Sequence, residues 1–590
     1  MATNHSRSAS LDLPGSGYHH HGNDLGLRRT RSNTSLPPTI EPIPSDITSS
    51  PSSVNKKPKD QNATTDVRQG QVLEISFSDE GAQTPSSSTD SNKLEEKHAS
   101  SEPNQEPHHV FSRREKWLIV WIVSLAGLFS PLSSNIYFPA LGDISVHTHT
   151  SLATVSLTIT TYMIVQGLAP SFWGPLSDTK GRRLTFIGTF IVYLIANLGL
   201  ALNKTFAGLM VFRAFQAFGG AATISVGAGV ISDITTPKER GGFLGSFGGI
   251  RMLGQSIGPV IGGIITEYFG YHAIFYFLLI LGSISLLLIT LFLPETLRSI
   301  AGNGSVPLKG FVRRPVISSH IKKHWTPRQD VVVSGPGKFS LGAVLHPLLS
   351  LREKEVLVTL LSGGIVYAIW SMVTSTTTAL FQSRFDLSDL ETGLVFLPNG
   401  AACVSGAYVT GKLLDRDYRI YESRYLDQHH LDHSQHISHK HLPRDFPIIK
   451  ARLRSTWFLL PIFTIAVSVY GFSLNSSNSE GQKKGMILPL MLQFVIAFTA
   501  TAVFTQNSAL MVDLFCSKKA ASATAVNNLV RCGIGAGGVA VVQFIIDGGL
   551  GAGWTFFMFG GVVLGLCWPL MGGMWVRGDL WRLASLRSRE

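Results

Sequence analysis

The chain has 590 residues, of which 15% are charged and 44% are hydrophobic, and it carries a net charge of +12. Its apolar residues gather into blocks of about 20, long enough to cross about 30 Å of hydrocarbon, which excludes a string of soluble domains. The basic excess lies mostly in the tails and in alternate loops, so membrane topology explains it and nucleic-acid binding does not.

Residues 1–110 are rich in Ser, Thr, Pro and Asn and bury too little apolar surface to offset the entropy of ordering, which predicts a disordered cytoplasmic tail. Within it Arg28-Arg29-Thr30-Arg31-Ser32 suits a basophilic kinase, and no apolar block near the start reads as a cleaved signal peptide. Twelve apolar spans follow, at about 117–139, 152–173, 184–203, 206–232, 243–267, 272–293, 356–382, 390–411, 455–474, 485–512, 519–546 and 553–576. They predict an all-α membrane protein with an N-terminal six-helix bundle over 111–297, a central cytoplasmic loop over 298–355 and a C-terminal six-helix bundle over 356–576. The second bundle holds a His-rich cytoplasmic loop over 412–454, and 577–590 form a cytoplasmic tail. With the N-terminus inside, Lys and Arg crowd the inner loops while the outer loops hold Lys204, Arg384, Lys483 and Lys484, so both termini are expected to be cytoplasmic. Asn475-Ser476-Ser477 then falls outside, where Asn475 could carry a glycan.

The four cysteines, Cys403, Cys516, Cys532 and Cys567, lie in or beside the spans and form neither a disulfide framework nor a metal spacing. The loop histidines His429, His430, His433, His436, His439 and His441 could line one helical face, but without Cys or clustered carboxylates a solvated loop is expected and no metal site.

An internal repeat organises the spans. Laying Val230 to Arg251 over Leu510 to Arg531 without a gap matches Asp233 to Asp513, Lys238 to Lys518 and Arg251 to Arg531. A second echo pairs Gly174-x-Leu176-x-Asp178 with Gly411-x-Leu413-x-Asp415. Two six-helix halves of the same topology account for both.

Three groups of residues carry the chemistry. The segment from Gly174 to Arg183 joins the second and third spans. A tight turn there would use Gly174, Pro175 and Gly181, with Asp178 on the amides of the next helix and Arg182 and Arg183 as charge at a gate; Asp415 is the counterpart in the second half. In the fifth span Gly254, Gly258 and Gly262 recur every four residues, with Gly263 beside them, baring a face for close helix contact, and Pro259 permits a kink. Plain tight packing would use the same glycines. Away from the span ends the charges are Arg213, Arg251 and Arg531, each costing about 2.5–3.5 kcal/mol at mid-membrane unless it meets a partner or a wet cavity. Arg251 and Arg531 could instead bind carbonyls, or Asp233 and Asp513. Arg213 stands opposite Gln493 in the repeat, so its charge belongs to one half, as a coupling residue would. Proton coupling also needs a group that titrates, and the end-located Asp233 and Glu267 are the candidates.

These motifs resemble those of the major facilitator superfamily, and more narrowly the fungal twelve-span drug:proton antiporters of the quinidine-resistance type. The resemblance rests on the segment from Gly174 to Arg183, on Arg213-Ala214-Phe215-Gln216-Ala217-Phe218-Gly219-Gly220, with Ala217 where glycine is common, and on Gly254 to Gly263, similar to the signature associated with antiporters. Asn135 to Leu141 and Pro294 to Ser305 resemble the narrower fungal group. It implies two bundles rocking about a midplane site, no enzymatic chemistry and no cofactor, and export of drugs or drug-like molecules against protons across the plasma membrane or a vacuolar one. A monomer in the lipid bilayer is expected, with a small-molecule substrate and the proton as coupling ion. The helices that surround the superfamily's cavity would bring Asn135, Tyr137, Tyr162, Gln166, Gln216, Arg251, Gln255, Trp370, Thr374, Gln493, Gln506, Asn507, Asn527 and Arg531 to the substrate path. The run from Thr374 to Thr378 also fits hydroxyls bonded to their own helix. Two alternatives stay open: transport of organic anions or nutrients, to which three arginines lend a positive cavity, and a non-transporting nutrient sensor with the long tail as its output.

Overall fold

The structure is a computed structural model and describes residues 109–236, 239–304, 315, 346–430, 443–475, 483–515 and 520–588. The tail with its kinase run, most of the central loop, the histidine-rich segment beyond His430, Cys516, Lys518 and the last two residues of the Asn475 triplet lie outside the described residues.

Twelve long helices carry the fold. They are α1 (Arg113–Asn135), α2 (Leu152–Lys180), α3 (Arg182–Leu202), α4 (Phe206–Ile234), α5 (Arg240–Phe269), α6 (Tyr271–Phe292), α7 (Lys354–Phe385), α8 (Leu397–Gln428), α9 (Thr456–Asn475), α10 (Ile487–Leu514) and α11 (Ala520–Ile545). The twelfth, α12, runs from Gly551–Val562 through a wide turn at Val563–Cys567 into Trp568–Ser588. Among the described residues ten stretches are long and apolar enough to cross a membrane; the last, Thr524–Arg587, takes in most of α11 and of α12, divided where Gly549 and Gly551 take positive φ. The glycines and Arg251 dilute the apolar character of α5, which supplies the twelfth crossing at 30 residues. Large apolar side chains such as Ile195, Ile280, Phe458 and Ile465 stand exposed on the outside, as a bilayer requires.

Each half has its own packed core. Phe129, Phe186, Phe190 and Tyr193 lie at the heart of the first, Phe381, Phe463, Tyr470 and Phe556 at that of the second. The pairing pattern repeats: α1 packs on α5 as α7 packs on α11, α2 on α4 as α8 on α10, and α3 on α6 as α9 on α12. Between the halves α2 meets α11 and α5 meets α8, an arrangement that maps onto itself when the halves are exchanged. The two-fold repeat predicted from Asp233 and Asp513 is therefore a repeat of structure.

Several ends differ from the hydropathy reading. The first helix stops at Asn135, and Leu141–Thr148 forms a short helix on the face opposite the termini, called here the far face. On the terminal face α8 continues to Gln428, well past the end expected near 411. Its residues Leu414, Tyr418, Tyr425 and Leu426 are buried at helical spacing, and the Tyr418 and Tyr425 rings meet Phe446 tilted and edge-on, at 5.5 and 5.4 Å, ahead of the short helix Ile448–Leu453. Much of the supposed loop over 412–454 is thus a helical cap. Likewise α12 extends to Ser588, so 577–588 continue a helix, and Arg582 donates to the Phe446 carbonyl at 2.8 Å.

Candidate functional site

The seam between the halves is shut on the far face. There Glu267 accepts the Asp389 and Leu390 amides at 2.9 and 3.4 Å, Thr378 donates to the Phe138 carbonyl at 2.9 Å, and Phe138 stacks on Phe396 at 5.6 Å. A Cβ added at Gly263 would fall 2.5 Å from the Asp389 carbonyl oxygen, so α5 and the short helix Asp389–Val395 touch backbone to backbone. Contact persists to mid-depth, where Gly400 abuts Ser256 and Asn528 donates to the Gln166 carbonyl at 3.0 Å. On the terminal face a Cβ at Gly241, Gly242, Gly245, Gly248 or Gly249 of α5, at Gly411 of α8 or at Gly174 of α2 would meet nothing within 4 Å. The cross-seam contacts among the described residues thus run from the far face to mid-depth.

The terminal face is held within each half by ion pairs. Arg182 donates from Nε to Asp233 at 2.9 Å and from Nη1 to Ser177 at 3.0 Å, with Asp178 2.5 Å away. In the second half Arg452 pairs with Asp513 at 2.7 Å, the counterpart of Arg182 and Asp233. The structure corrects the expected turn at Gly174 and Pro175. Both lie inside α2, which runs to Lys180, and the break falls at Gly181, with φ +113. Asp178 does not cap the next helix either: Glu295 takes the Arg182 and Arg183 amides at 2.8 and 3.2 Å, because its buried carboxylate sits directly over them. Arg183 is a clamp rather than a gate charge, donating to the carbonyls of Ile289, Thr290 and Leu293 at the end of α6. Asp415 is exposed and makes no ion pair among the described residues. Buried Asp417 receives Ser455 instead, with Arg454 at 3.9 Å.

Asp233 and Asp513 are thereby occupied, so the contacts with Arg251 and Arg531 considered from sequence do not form. Arg251 on α5 makes no hydrogen bond or ion pair among the described residues, stays partly accessible, and has Arg531 of the other half as its charged neighbour. Arg531 donates to Asn528 at 2.7 Å and lies over the rings of Tyr367 and Phe504 at 4.3 and 4.6 Å, its buried Nε without a partner. Arg213 is 1% exposed, held between the rings of Tyr137 and Tyr162 at 4.1 and 4.4 Å. Its Nη1 donates to the Ser133 carbonyl and to Gln216, while Nε and Nη2 are unpartnered. Among the described residues no carboxylate pairs with any of the three.

The structure gathers Gln166, Arg251 and Arg531 near the seam and sends other expected path residues into packing roles. Asn135 bonds the Pro131 carbonyl of its own helix, and Gln216 bridges Arg213 to Asn197. Tyr137 meets Thr158, Tyr162 donates to the Ser130 carbonyl, Gln493 donates to Thr377, and Gln506 accepts from Thr456. Asn507 packs against Gly363, Asn527 donates to Ser508, and Gln255 is half-buried on α5. Trp370 donates to Asn399 at 2.9 Å. Thr374, Ser375, Thr376 and Thr377 bond their own helix, and Thr378 alone in that run reaches α1's end. Tyr367, Asn399, Phe504 and Asn528 were not singled out by sequence. The signal available for two of them was spacing: Asn528 and Tyr367 lie three residues before Arg531 and Trp370, on shared helical faces.

Two copies of one six-helix pattern, with arginines at the seam between them and that seam shut on the far face, define a secondary membrane transporter rather than an enzyme. The chain belongs to the major facilitator superfamily, whose profile matches residues 123–539, and within it to the fungal group that includes drug:proton antiporters. It is 51% identical over 495 residues to Citrate exporter 1 of Aspergillus niger, covering 83% of this chain and 90% of that one. It is 33% identical over 479 residues to MFS antiporter QDR1 of Candida albicans, covering 80% and 90%. Among solved structures it resembles the D-xylose-proton symporter, with a TM-score of 0.53 at 12% identity over 77% of this chain and 97% of that one. The human organic anion transporter MFSD10 gives 0.51 at 16% identity over 77% and 99%. At such identities the likeness is one of fold.

Proposed function

We propose that the protein exports a small organic polycarboxylate, citrate or a close analogue, by alternating access of a site at the seam. One observation carries the reading: Arg251 and Arg531 face the seam from opposite halves, and neither has a carboxylate partner among the described residues. A ligand with two separated carboxylates neutralises both and ties the halves together through charge-assisted bonds of about 1.5–3 kcal/mol each. The similarity to Citrate exporter 1 supports the same substrate class. The distribution of Lys and Arg supports cytoplasmic termini, so with the far face shut the site would load from the cytoplasm, and the plasma membrane is the expected location. Drug export against protons, as the name of QDR1 suggests for that relative, is the second reading. The rings of Tyr367 and Phe504 beside Arg531 favour it, since aromatic walls suit amphipathic ligands.

Counterflow in liposomes holding the purified chain separates the two. Labelled citrate is expected to exchange, with di- and tricarboxylates competing and quinidine not. Arg251→Gln and Arg531→Gln should each weaken apparent citrate affinity about ten- to a hundredfold with the melting temperature unchanged. Quinidine flux without citrate flux would remove the anion reading.

A further inference from the structure

We infer that export is electrogenic, the anion leaving down its own gradient and the membrane potential with no proton returning. The inference rests on the anion reading above. Away from the ends of the twelve spans the charges are Arg213, Arg251 and Arg531, which keep their protons throughout the physiological range. Among the described residues the titratable groups facing them are the Tyr137, Tyr162, Tyr193 and Tyr367 phenols and the Cys532 thiol, side-chain types that ordinarily ionise near pH 10 and 8.5. A proton antiporter needs a group that takes a proton at one face and yields it at the other, the usual work of an intramembrane Asp, Glu or His.

The acids nearest the path are committed elsewhere. Asp233 holds Arg182 and Asp513 holds Arg452 on the terminal face, while Glu267 holds the Asp389 and Leu390 amides on the far face. Because α5 has 30 residues rising about 1.5 Å each, Glu267 and Asp233 lie roughly 40 Å apart on opposite sides of the bilayer. Neither lies beside Arg251 or Arg531.

The charge balance follows. One turnover moves the ionised substrate outward, three negative charges for a tricarboxylate, and the empty carrier returns with its arginines still protonated. An inside-negative potential drives that movement, shifting the equilibrium ratio about tenfold per charge for each ~60 mV, hence about a thousandfold for a trianion.

The test uses the full chain in citrate-loaded liposomes, with potassium gradients and valinomycin setting the voltage at equal pH on both sides. Efflux should rise several-fold with the interior negative and fall when the sign is reversed. A pH gradient at clamped zero voltage, with citrate trianion held constant, should leave the rate unchanged, and Glu267→Gln should keep the voltage response. Uphill citrate movement driven by the pH gradient alone, or a rate indifferent to voltage, would overturn electrogenic export while leaving the anion reading intact. Loss of the voltage response in Glu267→Gln, with citrate flux retained, would overturn it too. Lack of citrate flux in every arm, with quinidine moving, would remove both.

Discussion

Glu295 shows how much one buried side chain can hold. At 4% exposure its carboxylate accepts four backbone amides: Arg182 at 2.8 Å, Arg183 at 3.2 Å, and Thr296 and Leu297 at 3.0 Å each. Arg183 answers on the carbonyls that end α6, so the start of α3 and the end of α6 cap one another. Glu295→Ala strands those amides and should cost about 2–4 kcal/mol, read as a lowered melting temperature in detergent. The sequence displayed Glu295 inside a recognisable motif, yet two of the amides it serves, those of Arg182 and Arg183, are 113 and 112 residues away, and spacing along the chain carries no trace of them. Glu239 gives a pH prediction. Lys116 lies 2.5 Å from it and, with the Thr236 amide, holds its carboxyl down at about 2. A depressed carboxylate stabilises the fold above its unfolded value of about 4.3 and loses that contribution as pH falls toward about 2. The parent should therefore melt above Glu239→Gln at pH 7, with the gap closing in acid.

At the scale of elements α5 is the clearest case, because its glycines divide between two tasks. Gly254, Gly258 and Gly262 face α1, and a Cβ at Gly262 would fall 2.0 Å from the Ile136 carbonyl oxygen. Gly263 faces the other half across the seam. Gly262→Ala should consequently lower the stability of the first half. Gly263→Ala should spare it and instead weaken closure of the far face, measured as greater labelling of a cysteine introduced near Asp389. The four-residue spacing revealed the close-packed face in the sequence, but adjacent Gly263 gave no sign of a different neighbour. The α8 extension was illegible for another reason. Its polar face reads as loop by hydropathy, and its apolar stripe has meaning only against Phe446 and Ile448, which arrive after an insertion.

For the molecule as a whole the seam is where folding turns into function. Each half buries a large core, and Phe396, Ala536 and Val539 of the second half pack into that of the first across the seam. A Cβ at Gly167 would stand 3.0 Å from that of Cys532 across the α2–α11 contact, near the ~3.5–4.5 Å a disulfide spans. Gly167→Cys should therefore cross-link to native Cys532 on mild oxidation, arrest transport, and recover when reduced. Flux that continued through a complete cross-link would show that this contact need not open.

The sequence by itself determined the crossings, the two-fold repeat and the three intramembrane arginines, because hydrophobic length, positional echoes and the cost of buried charge are written locally. Tertiary structure decided which polar groups meet: Arg182 with Asp233, Arg452 with Asp513, Glu295 with the start of α3, and Arg251 opposite Arg531. Those partners lie far apart along the chain, and a hydrogen bond or charge contact depends on distance in space, which only the packing of helices fixes.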